Sequence, residues 1–134
     1  MLHHISFGVA NLRRSAEFYD AVLTELGYER VWTDFGGDPD TQAVGYGEPG
    51  GGDKLALKQV AVGRASPGPG FHFAFSAPSR DAVDRFHKAA ILHGGTDNGR
   101  PGLRPDYGSN YYAAFVIDPD GFHIEAVIST VAVA

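Results

Sequence analysis

Residues 71–77, Phe-His-Phe-Ala-Phe-Ser-Ala, echo residues 3–9, His-His-Ile-Ser-Phe-Gly-Val. At the offset that carries His4 onto His72, Phe7 falls on Phe75, Phe18 on Phe86, Ala21 on Ala89 and Gly27 on Gly95. Five matches at one offset point to a duplicated unit, so whatever the first half folds into the second must fold into as well. A pair of halves with one histidine on each equivalent strand can bring both imidazoles to a shared central cleft. Two convergent histidines are the beginning of a metal site.

The elements of one unit follow from periodicity. Residues 2–10 alternate as a strand, with Ile5, Phe7 and Val9 on one face and His4, Ser6 and Gly8 on the other. A helix is predicted from Leu12 to Leu26. Asn11 is its N-cap, Leu12, Ala16, Tyr19, Leu23 and Leu26 form the apolar stripe, and Gly27 closes it. Strands over Tyr28–Thr33, Ala43–Tyr46 and Lys54–Val62 complete a β-α-β-β-β order. Residues 63–70 have linker composition. The second unit repeats the plan, with a strand over Phe71–Ala77 and a helix from Ser79 or Asp81 to His93 that ends at Gly94-Gly95. A Gly/Pro-rich surface loop is expected over 99–109. A hairpin of Tyr111–Ile117 and Phe122–Ile128 turns at Asp118-Pro119-Asp120-Gly121. The apolar tail after Thr130 is read as a frayed end or an interface strand. The fold class is thus α+β: two paired β-α-β-β-β modules, about 1–62 and 71–130 of a single domain, forming a curved mixed sheet around a cleft.

Bulk properties narrow the function classes. The chain has 134 residues, 43% of them hydrophobic, enough for one core. With a net charge of -5 and no basic run interleaved with aromatics, nucleic acid is not an expected partner. No apolar stretch approaches the roughly 20 residues of a membrane span. Cysteine is absent, so disulfide and thiolate chemistry are excluded. A cytoplasmic location is the expectation.

In both opening strands the aromatic or aliphatic face suits the unit's own helix, which leaves His4 and His72 on the opposite face. Glu125 lies between Ile124 and Ala126 in the last strand, where a carboxylate is costly unless paired or metal-bound. If Ile124 and Ala126 face the helices, His123 and Glu125 face the cavity. His4, His72 and Glu125 then form a facial set for one divalent metal with open positions, and imidazole with carboxylate suits Fe, Mn, Ni or Zn. His3, His87 and His93 fit surface or structural places. Gly50-Gly51-Gly52 lacks the Lys-Ser/Thr of a phosphate loop. Arg100 and Arg104, in the Gly/Pro-rich loop, can contact an anionic substrate.

The segments His4-Ile5-Ser6-Phe7-Gly8-Val9, Asn11-Leu12 with Ser15, Phe18 and Tyr19, Phe71-His72-Phe73-Ala74-Phe75, and Tyr111–Val116 with Asp118-Pro119-Asp120-Gly121 and Ile124-Glu125 span nearly the whole chain. Together they resemble the vicinal oxygen chelate superfamily of glyoxalase I, extradiol dioxygenases, fosfomycin-resistance transferases and bleomycin-resistance proteins. The resemblance implies paired modules, a divalent metal held by the residues matching His4, His72 and Glu125, and a small-molecule substrate that chelates it through two oxygens. A metal-free protein that sequesters its ligand, of the bleomycin-resistance kind, is the alternative.

The offset carried back from Glu125 lands on Leu57, flanked by Ala56 and Lys58. Glyoxalase I-like isomerisation uses a carboxylate there, so the resemblance leans toward dioxygenases or thiol transferases. Likeness to the dioxygenases makes His123 and Tyr111 or Tyr112 the acid/base candidates. Likeness to the transferases turns Tyr111 and Phe115 toward the cavity, so Tyr111, Phe115 and His123 are the expected substrate contacts. A homodimer is also implied, with the cleft closed either by the two halves of one chain or by halves of two.

Overall fold

A computed structural model describes residues 1–65 and 67–130. The expected apolar tail after Thr130 lies outside the described residues. Ten main elements follow one another: β1 (Ile5–Val9), α1 (Leu12–Thr24), β2 (Glu29–Asp34), β3 (Ala43–Gly47), β4 (Leu55–Gln59), β5 (Phe73–Ser76), α2 (Arg80–Leu92), β6 (Thr96–Leu103), β7 (Tyr111–Ile117) and β8 (His123–Ser129). They build two four-stranded mixed sheets of the same order, β1-β4-β3-β2 and β5-β8-β7-β6. In each, the opening strand runs parallel to the closing strand and the other pairings are antiparallel. The α+β class and the paired β-α-β-β-β modules read from the repeat are the observed architecture.

Local chemistry accounts for the helices. Asn11 accepts the Arg14 N–H at 3.1 Å, and Ser79 accepts the Ala82 N–H at 3.0 Å, each satisfying an orphan donor of a first turn. Gly27 and Gly94 follow the helices at φ of 88° and 99°, where a side chain would be strained. The whole predicted stripe of α1 is buried. Helix α1 stops at Thr24, a few residues short of the predicted Leu26, because Tyr28 N–H turns back to the Leu23 carbonyl. Strand β4 ends at Gln59 rather than Val62. The Gln59 amide donates to the Ala10 and Val60 carbonyls and accepts the Leu12 N–H, tying the strand to the start of α1.

One sequence expectation is corrected. Residues 96–103 form strand β6, where a loop was expected from 99 onward. Gly99, Pro101 and Gly102 conceal the strand from composition. It tolerates them because it is an edge strand that, among the described residues, bonds only to β7, with register breaks on both sides of Gly99.

The units meet through their helix faces. Phe7 of β1 packs against Phe71, Phe73 and Phe122, with ring centroids 4.3–6.3 Å apart. Helix α1 lies against α2. Polar ties lock the joint. Tyr19 Oη donates to Asp118 Oδ2 at 2.6 Å, Ser15 Oγ to Asp120 Oδ2 at 3.0 Å, and Arg14 pairs with Asp120 at 3.1 Å. The Asp118–Gly121 turn therefore also anchors the first helix of the other unit. As a result the opposite face of each sheet, the one bearing His4 and Ser6 or His72 and Ala74, is left open by the described residues.

Candidate functional site

The open face of the second sheet carries the site. Ala74 of β5 pairs with Glu125 of β8, and Phe115 of β7 lies across from Glu125, so these three share that face. Glu125 is 2% exposed although it lies on the open side. Both of its oxygens have partners. His72 donates from Nε2 to Oε1 at 2.8 Å, the direction a carboxylate requires, and Tyr111 donates its phenol to Oε2. Burial, and then the hydrogen bond to Glu125, push the Tyr111 phenol up to about 12. It therefore stays protonated and keeps donating at any ordinary pH. The His72 imidazole is half-exposed beside this buried carboxylate, and its ring meets the edge of Phe115 at 6.0 Å between centroids.

The predicted residues divide into two groups. His72, Glu125, Tyr111 and Phe115 come together. His123 is exposed and shares a depression with His72, bounded by Pro67, Gly68, Pro69, Gly70 and Gly121. His4 does not join them within one chain. It precedes β1, is exposed, and pairs with His3 through their Nδ1 atoms at 2.9 Å. Among the described residues no three His, Cys, Asp or Glu side chains gather closely enough to hold a metal ion. The physical reason is the packing of the units by their helix faces, which separates the two histidine-bearing faces.

The donors present fit a divalent ion as far as they go. Two ligands each about 2.0–2.2 Å from one ion stand roughly 3 Å apart, and the 2.8 Å between His72 Nε2 and Glu125 Oε1 matches that spacing. Among the described residues no third His, Cys, Asp or Glu joins these two.

Sheet register also identifies the position equivalent to Glu125 in the first unit. Ser6 corresponds to Ala74, and Ser6 pairs with Ala56. The equivalent is Ala56, one place from the Leu57 found by offset alone, while Leu57 is fully buried on the helix side. The absence of a carboxylate at this position stands on either count.

Sequence reasoning missed two features of the open faces. One is Trp32. A bulge between Arg30 and Trp32 leaves Arg30 on the helix side against Asp20 and turns Trp32 to the open side, stacked over Gly45. The other is the seat of Arg104, whose guanidinium lies 5.4 Å from the Phe115 ring centre. Trp32, a single residue with no periodic partner, gives no signal in the sequence, and Arg104, an expected contact for an anionic substrate, gives none of its seat, which depends on strand β6.

Two paired β-α-β-β-β units, the second carrying a buried carboxylate bracketed by histidine and tyrosine, define an α+β protein with a candidate site on one open sheet face. Comparison with known proteins sharpens that class. The profile of the Glyoxalase/Bleomycin resistance protein/Dioxygenase superfamily matches residues 1–126. A glyoxalase/bleomycin resistance protein from Albidiferax ferrireducens T118 is 33% identical, with 92% of this chain and 95% of that chain covered and a TM-score of 0.73. A putative glyoxalase from Bacillus halodurans is 31% identical, covering 95% of this chain and 94% of that one, with a TM-score of 0.66. A V278E glyoxalase I mutant from Zea mays is 25% identical over 92% of this chain and 44% of its own, with a TM-score of 0.71. Among curated proteins no match was found. The chain belongs to the Glyoxalase/Bleomycin resistance protein/Dioxygenase superfamily.

Proposed function

We propose that the protein is a metal-dependent enzyme acting on a small oxygenated molecule, with His72 and Glu125 of one chain and His4 of a second copy holding one divalent ion. The observation that carries this reading is Glu125. It is a nearly fully buried carboxylate on a face the chain leaves open, with its oxygens aligned by His72 and Tyr111. A bound divalent ion supplies Lewis acidity to a substrate that presents two neighbouring oxygens.

The chain's own residues do the rest. Tyr111, protonated throughout the working range, holds Glu125 Oε2 and so fixes the direction of Oε1. The half-exposed His72 presents Nε2 at the same point. Phe115 supplies an apolar wall that limits water on one side of the substrate. His123, exposed beside His72, is placed to take or return a proton. Because Ala56 occupies the place of a fourth carboxylate, the isomerisation of glyoxalase I is not the reaction proposed.

A homodimer belongs to the same reading, since His4 does not gather with the other two donors among the described residues of one chain. Cytoplasmic residence is part of it as well. What can be said of membranes is that no helix among the described residues is long and apolar enough to cross one.

Metal analysis of untagged protein tests the reading. The wild type should carry a stoichiometric divalent ion, and His72→Ala, a half-exposed position, should fold but lose most of it. Equal metal content in the two proteins would overturn the assignment. A wild type without metal that still binds its ligand would favour the sequestering alternative.

A further inference from the structure

Arg104 is held in an unusual seat. Strand β6 presents Gly99 and Gly102 on the open face, opposite Phe115 and Ala113. A Cβ on Gly102 would stand 3.1 Å from Arg104 Nη1, and one on Gly99 would stand 3.4 Å from Nη2 and 2.9 Å from the Phe115 ring. The guanidinium thus occupies space left by two missing side chains. It faces the Phe115 ring at 5.4 Å, and two of its N–H groups donate to the Leu103 and Arg100 carbonyls. Among the described residues no carboxylate pairs with it. A guanidinium has five donors in a planar fork, so most of this fork has no partner. Across the face the order is His72 and Glu125, then Phe115, then the Arg104 guanidinium.

We propose that Arg104 is the anion-recognition residue of this site, so that the ligand carries a small oxyanion, a carboxylate or a phosphate, beside the oxygens that lie at His72 and Glu125. The inference rests on the functional reading above for the location of those oxygens. A planar fork with unused donors matches an oxyanion in bidentate fashion. A neutral ligand would leave the cation unneutralised when a second copy covers the face, and burying an unpaired charge is costly. Backbone anchoring by Leu103 and Arg100, together with the ring of Phe115, holds the group in place before the ligand arrives. That lowers the ordering cost of binding.

The test is a titration of the purified full-length protein with inorganic phosphate, glycolate and neutral ethylene glycol. Binding is followed by calorimetry and by the Arg104 Nε–H resonance, with metal content and oligomeric state recorded on the same samples. Phosphate or glycolate should bind and shift the resonance, and the tighter of the two identifies the anion. Ethylene glycol should do neither. Arg104→Gln should weaken anion binding about tenfold or more while retaining metal. Arg104→Lys, which keeps the charge but loses the fork, should fall between, and Lys88→Gln, on α2, should match the wild type. Anion binding unchanged in Arg104→Gln, or ethylene glycol bound as tightly as glycolate, would overturn the proposal. So would an Arg104→Gln protein whose dimer weakens while its anion binding stays, since Arg104 would then be a subunit ion pair. A wild type that lacks metal yet binds phosphate through Arg104 would sink the metal reading and leave the anion site standing.

Discussion

Glu125 illustrates how one buried carboxylate can be held ready. Its two oxygens are aligned by unlike donors, an imidazole that can exchange partners and a phenol that cannot lose its proton in the ordinary range. Tyr111→Phe removes the second donor and leaves Oε2 unsatisfied. It should cost about 1–3 kcal/mol in stability, read as a lower urea midpoint, and an unchanged midpoint would mean that water replaces the phenol. Asp118 offers a second residue-scale test. Burial raises its carboxyl above the ordinary value of 3.8, against the lowering effect of hydrogen bonds from Tyr19 and from the N–H groups of Phe122 and Asp120. A raised folded value means that the native state keeps a proton the unfolded chain has already released. Stability therefore falls as pH climbs from 3.8 to the folded value, and is level above it. Asp118→Asn should flatten that fall in denaturation curves taken from about pH 3.5 to 7. Glu125 was legible in the sequence because it interrupts an apolar run. Its contact with Tyr111 was not, since it depends on strand register. The ties of Asp118 and Asp120 to Tyr19 and Ser15 were hidden too, because turn chemistry alone explains those aspartates.

At the scale of elements, the two open faces mirror one another with a substitution. In the first sheet an aromatic on the edge strand, Trp32, covers a glycine on the next strand, Gly45. In the second, an aromatic on the inner strand, Phe115, stands opposite a glycine on the edge, Gly99. Gly45→Ala would put a Cβ 2.2 Å from the Trp32 indole nitrogen, so the ring must leave the sheet. The chain has a single tryptophan, so its fluorescence should shift to the red, with a stability loss of about 1–3 kcal/mol. Emission identical to the wild type would show that the backbone, not the indole, gives way. The strands and helices were legible wherever hydrophobic periodicity ran for a full element, as in α1, β1 and β7. Strand β6 escaped because its ladder bonds come from backbone groups while its side chains, Gly99, Pro101 and Gly102, signal a loop. The bulge at Arg30–Trp32 escaped because one extra residue changes no composition.

At the scale of the molecule, no three metal donors gather on either open sheet face among the described residues, and the proposed site takes its third donor from a second copy. The dimer proposal makes this quantitative. His4→Ala and Glu125→Ala chains should each fail to hold metal alone. Mixed and allowed to exchange, they should regain one intact site of two, because one pairing of halves carries no substitution. A monomer at micromolar concentration with full metal occupancy would refute the arrangement. The same geometry sets an expectation for catalysis: with Ala56 in the fourth position, the glutathione hemithioacetal of methylglyoxal should not be turned over efficiently, a direct spectrophotometric assay. The duplicated architecture was legible from the histidine echo. Which faces the halves would turn toward each other was not, because the aromatic joint around Phe7 and the Asp118–Asp120 anchor arise only once both units are assembled. The parallel pairing of opening and closing strands has a kinetic consequence. Ile5 must wait for Leu55, and Phe73 for Ile124, so neither sheet can be completed until nearly all of its own unit has left the ribosome. The first unit can nevertheless finish while the second is still being translated. Its helix α1 then receives its aspartate anchor only after most of the second unit has emerged, which leaves the first unit exposed to chaperones and proteases throughout that interval.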